Sequence, residues 1–150
     1  MSQERYEIAL AELAQDIGLD AAALTQYQEL IIDGVAIALS YEPDSMGGSM
    51  QGACYVGTEP LPVNAAPELL KLLLQVNTLG PATSGATLGL QRSGRLVLSR
   101  REPLDAPPNR LAIAWGELAD ASARWAEALE RGQGARIHEL LASEAHAHVS

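Results

Sequence analysis

The chain has no phenylalanine, one lysine, one cysteine and three histidines among its 150 residues, and each scarcity closes off a class of chemistry. With no phenylalanine, four tyrosines and two tryptophans, there is little aromatic surface on which nucleobases could stack. Lys71 sits inside a leucine-rich stretch and follows no glycine-rich turn, so a phosphate-cradling loop lacks both its backbone and its cation. Cys54 alone forms neither an internal disulfide nor a multi-cysteine metal site. It lies in an alternating apolar stretch, where a buried, inert thiol is expected. His138, His146 and His148 all fall near the C-terminus. With Glu139 or Glu144 they offer ligand types that zinc accepts. A fraying tail, however, supplies no rigid scaffold, and solvated side chains are expected there. No apolar run approaches the roughly 18 residues of a membrane-spanning helix. The N-terminus, MSQERYEIALAELAQ, lacks the apolar centre of a signal peptide. The expectation is a cytoplasmic protein with neither metal nor cofactor.

Positive charge is also scarce where it would matter. Residues 1–75 carry eleven acids against Arg5 and Lys71, whereas residues 76–150 carry eight acids against eight arginines. The whole net charge of −9 therefore belongs to the first half. Such a surface repels phosphate backbones and anionic lipid, which argues against nucleic acid or a membrane as partner. The same acidity also serves plain solubility. What the chain does have is apolar bulk: 47% of its residues are hydrophobic, chiefly leucine and alanine. At this length that supports one domain with a sizeable core.

The apolar residues fall into clear periods. Tyr6, Leu10, Leu13 and Ile17 recur at helical spacing, with Glu4, Glu7, Glu12 and Asp16 between them and Gly18 as terminator. The segment from Asp20 to Thr25 reads as a loop or a short helical turn. Gln28 to Ile32 is a short strand running into Asp33-Gly34, a strong hairpin signal. Val35, Ile37, Leu39 and Tyr41 then alternate with Ala36, Ala38, Ser40 and Glu42, giving a strand with one face much larger than the other. After the flexible PDSMGGS connection, Met50 to Glu59 resumes strand character, completing a three-strand antiparallel meander. Asn64 and Pro67 open a helix carrying Leu69, Leu70, Leu72, Leu73, Leu74, Val76 and Leu79, which Gly80-Pro81 ends. Leu70 and Leu74 project away from the face made by Leu69, Leu72, Leu73 and Val76. A helix apolar nearly all round needs cover on both sides, and a second copy of the chain would provide it. A second hairpin, Gly85 to Gln91 and Arg95 to Arg101, turns at Ser93-Gly94. Leu111, Trp115, Leu118, Ala121, Trp125 and Leu129 form a stripe along a last helix from about Arg110 to Arg131. The class is α+β: an antiparallel sheet of a meander plus a hairpin, with three main helices in the order α-β-β-β-α-β-β-α. The domain spans 1–131, and 132–150 form a tail with a short helix before its frayed end.

Catalytic constellations are missing from these elements. Gly47-Gly48-Ser49-Met50-Gln51 has no closing glycine for a nucleophile elbow, and Gly132-Gln133-Gly134 follows a helix rather than a strand. Glu42 and Asp44 lie beside a flexible loop, where solvated carboxylates are expected. An enzyme is not expected. The stripe Tyr6–Leu10–Leu13–Ile17 has two readings: ordinary core, or a face left open to another chain's apolar anchors.

The stretch from Leu69 to Asp105, LLKLLLQVNTLGPATSGATLGLQRSGRLVLSRREPLD, resembles the Tir-chaperone-like family, the class I effector chaperones of bacterial type III secretion. The similarity lies in the paired leucines of the helix with Asn77 after them, the Leu88-Gly89-Leu90 strand, the Leu96-to-Arg100 strand closing on Pro103-Leu104, and Trp125 near the end of the last helix. It covers roughly residues 5 to 131. The resemblance implies a bacterial cytoplasmic homodimer built around the leucine-rich helix and the strand at Ala86–Gln91, with Leu70, Leu73, Leu74, Leu88 and Leu90 in the interface. It also implies that the non-globular N-terminal segment of a secreted effector winds around the dimer, meeting apolar patches on the first helix and the sheet. Leu10, Leu13, Ile17, Ile37 and Leu39 are the expected contacts, and the secretion ATPase is a further expected partner. A regulatory or adaptor domain of the same fold, unconnected to export, is the alternative.

Overall fold

The computed structural model describes residues 2–43, 47–57, 86–91 and 93–130. The first helix, α1, spans Ser2–Ile17. It buries Tyr6, Ala9, Leu10, Leu13 and Ala14 while Glu4, Glu7, Glu12 and Asp16 face water. It stops where Gly18 takes a positive φ of 77°, letting the Leu19 amide donate back to the Ala14 carbonyl at 2.8 Å. The segment read as a loop or short turn is a seven-residue helix, α2 (Ala21–Tyr27). Asp20 caps it by accepting a hydrogen bond from the Ala22 amide at 3.1 Å.

Four of the five strands follow the expected alternation. The first hairpin joins β1 (Glu29–Ile32) to β2 (Val35–Glu42) through Asp33 and Gly34, both with positive φ, the turn whose twist suits a two-residue connection. Strand β3 (Ser49–Val56) pairs antiparallel with β2 and ends before residues 58–59, which lie outside the described residues. Strand β4 (Thr87–Leu90) is too short to show much alternation; it forms the second hairpin with β5 (Leu96–Pro103), turning at Ser93-Gly94. Strand β5 also pairs with β3, so the antiparallel sheet runs β1-β2-β3-β5-β4 and the meander and hairpin meet at its centre.

Helix α3 (Pro108–Glu130) lies across β2, β3 and β5, with α1 packed beside it. Its expected stripe is in the core: Leu111, Trp115, Leu118, Ala121 and Trp125 are buried, and Leu129 is partly so. The closest approach is at Gly52, where a Cβ would sit 2.5 Å from the Trp115 ring. Only a glycine lets the helix come that near to β3. The helix is also pinned by polar contacts. Ser122 donates its hydroxyl to the Tyr55 carbonyl at 3.1 Å. Arg100 pairs with Glu102 at 2.9 Å and with Glu117 of α3 at 2.8 Å. Glu102 is buried, and Arg100 supplies the partner that a buried carboxylate needs.

The result is the expected α+β architecture. The leucine-rich helix, with Leu70, Leu73 and Leu74, lies outside the described residues, as does the tail 131–150 with its three histidines. No helix among the described residues is long and apolar enough to cross a membrane.

Candidate partner-binding surface

Alternation along the strands divides the sheet into two faces. Leu30, Ile37, Leu39, Met50, Cys54, Val56 and Leu98 point toward α1 and α3 and are buried. Four of the five residues expected to touch a partner therefore belong to the core of the single chain: Leu10 and Leu13 from α1, Ile37 and Leu39 from β2. Helix α3 covers that side, so the helix stripe resolves to core and these four support the surface from beneath. Ile17, at the end of α1, keeps 37% of its surface exposed. Of the residues expected at the dimer interface, Leu88 is buried, whereas Leu90, at the end of the edge strand β4, is 55% exposed.

The opposite face carries no helix among the described residues. The strand register sets Glu29, Ala38, Ala53, Ser99 and Thr87 in one row across it, and pairs Ile31 with Ala36 at one side and Tyr55 with Val97 and Gly89 at the other. Ile31 is 67% exposed and Tyr55 49%. Beside Tyr55 the alanines form the floor of a shallow trough of about 240 Å³, lined by Ala36, Ala38, Ala53, Tyr55, Val97 and Glu29 among others. That volume is below the roughly 300–1,000 Å³ usual for small-molecule and cofactor sites. It suits protruding side chains better than a cofactor.

One wall is held rigid. The Arg95 guanidinium lies 4.2 Å from the centre of the Tyr55 ring and donates to the Gly57 carbonyl at 2.6 Å. This fixes the tyrosine. Glu29, on the other rim, is exposed and makes no ion pair among the described residues. Farther along the face Glu42 lies 4.0 Å from Arg101. Tyr27 at the end of α2 is exposed, and β1 is an edge strand of the sheet among the described residues. The trough was missed in the sequence because its residues are small. Its signal was present: Ala36, Ala38 and Ser40 are successive outward residues of β2.

Nothing on this surface suggests bond-making chemistry. Cys54 faces the core, where burial pushes its thiol pKa up and the Ser122 hydroxyl opposes the shift only in part. A thiol held protonated is a poor nucleophile. Among the described residues no three metal-ligating side chains come together. The arrangement can receive apolar side chains and attract a cation.

Similar folds occur in solved structures. The ExsC–ExsE complex contains a chain with a TM-score of 0.63 and 16% identity, the match covering 83% of this chain and 92% of that one. The structure of the Yersinia pestis type III secretion chaperone SycH with a stable fragment of YscM2 gives a TM-score of 0.60 and 17% identity, covering 80% and 98%. No curated protein matches the chain. The sequence profile of the Tir chaperone protein (CesT) family matches residues 9–126, most of the chain. The chain belongs to the Tir chaperone protein (CesT) family.

Proposed function

We propose that this protein is a homodimeric cytoplasmic chaperone for a type III secretion effector. It holds the effector's non-globular N-terminal region soluble and competent for export. The observation that carries this reading is a sheet sealed by helices on one side and, among the described residues, uncovered and partly apolar on the other, in a member of a chaperone family. Binding without bond chemistry is the whole of its activity, and release to the secretion ATPase follows binding.

The dimer rests on the leucine-rich stretch 69–79 together with Leu90, which the buried Leu88 supports from within the chain. Leucines buried at about 1.5–3 kcal/mol each can offset an association cost of roughly 4–15 kcal/mol when several act together. Contact with the effector is assigned to the surface around Ile17, the β1 edge and the open sheet face, with Leu10, Leu13, Ile37 and Leu39 as its support.

Co-expression with the N-terminal region of the protein encoded beside it, followed by limited proteolysis, tests the central claim. A protected effector segment co-purifying with the chain supports export chaperoning; a folded regulatory partner in its place supports the adaptor reading. Sedimentation of Leu74→Asp tests the dimer separately, since an unchanged dimer would refute the assigned interface.

A further inference from the structure

We propose that the alanine-floored trough selects effector segments in which a large aliphatic side chain stands next to a lysine or arginine. This rests on the chaperone reading above and names what that surface prefers. Three features of the trough carry it. Ala36, Ala38 and Ala53 line the floor, with Tyr55 rising on one side and Glu29 on another, so bulk must come from the occupant. Successive outward positions of β2 are about 7 Å apart, the same spacing as alternate side chains of an extended segment laid upon it. Tyr55 is braced by Arg95, whose guanidinium is engaged with the ring and with the Gly57 carbonyl, so the wall does not collapse into the space.

Charge then fixes the class of occupant. Glu29 is the charged residue on the trough's lining, and Arg95 lies over the Tyr55 ring outside that lining. A cation beside the seated aliphatic group pairs with Glu29; an acid there meets repulsion. The same charge disfavours two alternatives. A nucleic acid would bring phosphates to Glu29. A second copy docked face to face would bring two Glu29 carboxylates together between chains that each carry a net charge of −9. A basic, leucine-bearing unfolded segment remains.

The probes are two short fluorescein-labelled peptides in a Gly/Ser frame, each with two leucines two positions apart, flanked by lysines in one and by glutamates in the other. Their binding is measured by anisotropy with the full chain, with Ala38→Leu, which fills the floor, and with Glu29→Lys. We expect the lysine-flanked peptide to bind the unaltered protein at least about fivefold more tightly than its counterpart. Glu29→Lys should invert that order, and Ala38→Leu should abolish binding of both while leaving the circular dichroism melt in place. Equal binding of the two peptides, no binding of the lysine-flanked one, or binding indifferent to Ala38→Leu overturns the proposal. Protease protection of the co-expressed effector segment is followed in the same three proteins. Protection undiminished in both variants leaves the chaperone reading standing and removes the trough from it. Protection in none of the three removes the chaperone reading, and the occupant with it.

Discussion

The two faces of the sheet come from the same strands and the same alternation, yet they are made of different residues. Toward the helices, Leu30, Ile37, Leu39, Met50 and Leu98 are buried, and α3 approaches until only glycine fits at position 52. Away from them, Ala36, Ala38 and Ala53 lie low beside Tyr55, with no helix above them among the described residues. The covered face is shaped by demands internal to the chain, where tight packing contributes most of the stability. The open face contributes little to the fold. Its apolar residues are unfavourable in water, and the acidity of the first half offsets their effect on solubility.

The sharpest way to break this comparison is to show that the faces tolerate substitution equally, beginning with the covered one. Trp115 is fully buried against β3, and Trp115→Ala should destabilise the protein by about 3–5 kcal/mol in urea denaturation. A loss of less than about 1 kcal/mol would mean that α3 does not pack as described. Gly52→Ala asks the same from the other side of the contact. Its methyl group would stand 2.5 Å from the indole, and an expected cost of about 1–3 kcal/mol reflects overpacking rather than a cavity. At Gly89, on the open face, an added Cβ meets nothing within 4 Å, so Gly89→Ala serves as the control.

Much of this architecture was legible before any coordinates, and the failures have a common cause. Helical spacing located α1 and α3 to within a few residues, and Asp33-Gly34 marked the hairpin turn that both positive φ values bear out. Helix α2 was read as either a loop or a short helical turn, because seven residues are too few for a period to decide; its cap at Asp20 was the remaining signal. Leu10, Leu13, Ile37 and Leu39 were correctly seen to share faces. Spacing, however, cannot say whether another element covers a face, because that depends on where a helix some hundred positions away comes to rest. The trough was hidden for the complementary reason: alanines look like the weak side of a strand until their neighbours across the sheet are known. Of the site residues read from the sequence, Leu70, Leu73 and Leu74 lie outside the described residues.

A smaller effect comes from pH, at the rim of the core where α1 meets β1 and β2. Tyr6 is buried, donates its hydroxyl to the Gln28 side-chain carbonyl at 2.7 Å, and lies 5.9 Å from the Tyr41 ring. Burial pushes its pKa up to about 12 from 10.0. Between those values the unfolded chain releases the phenolic proton while the folded chain retains it. The folded state then binds more protons, and stability falls as pH rises through this window. Denaturation midpoints of the unaltered protein should therefore decline more steeply from pH 10 to 12 than those of Tyr6→Phe. At neutral pH the variant should be about 1 kcal/mol less stable, because the Gln28 oxygen loses its donor. Parallel midpoints throughout would show that Tyr6 titrates as freely as an exposed tyrosine.

The least perturbing substitution separates the faces most cleanly. Ile37 and Ala38 are consecutive in β2, so alternation sends their side chains to opposite sides: Ile37 is fully buried, Ala38 exposed. Ile37→Ala should cost about 2–5 kcal/mol, whereas Ala38→Thr should change stability by no more than about 0.5 kcal/mol, since threonine suits a strand and has water beside it. If Ala38→Thr proves as damaging as Ile37→Ala, the outer face is packed against protein, and a trough open to a partner does not exist. If it is silent in denaturation yet weakens effector protection, then a residue the fold can spare is one that binding requires. A core residue could not separate the two readouts, because its loss removes the support of the surface along with the stability.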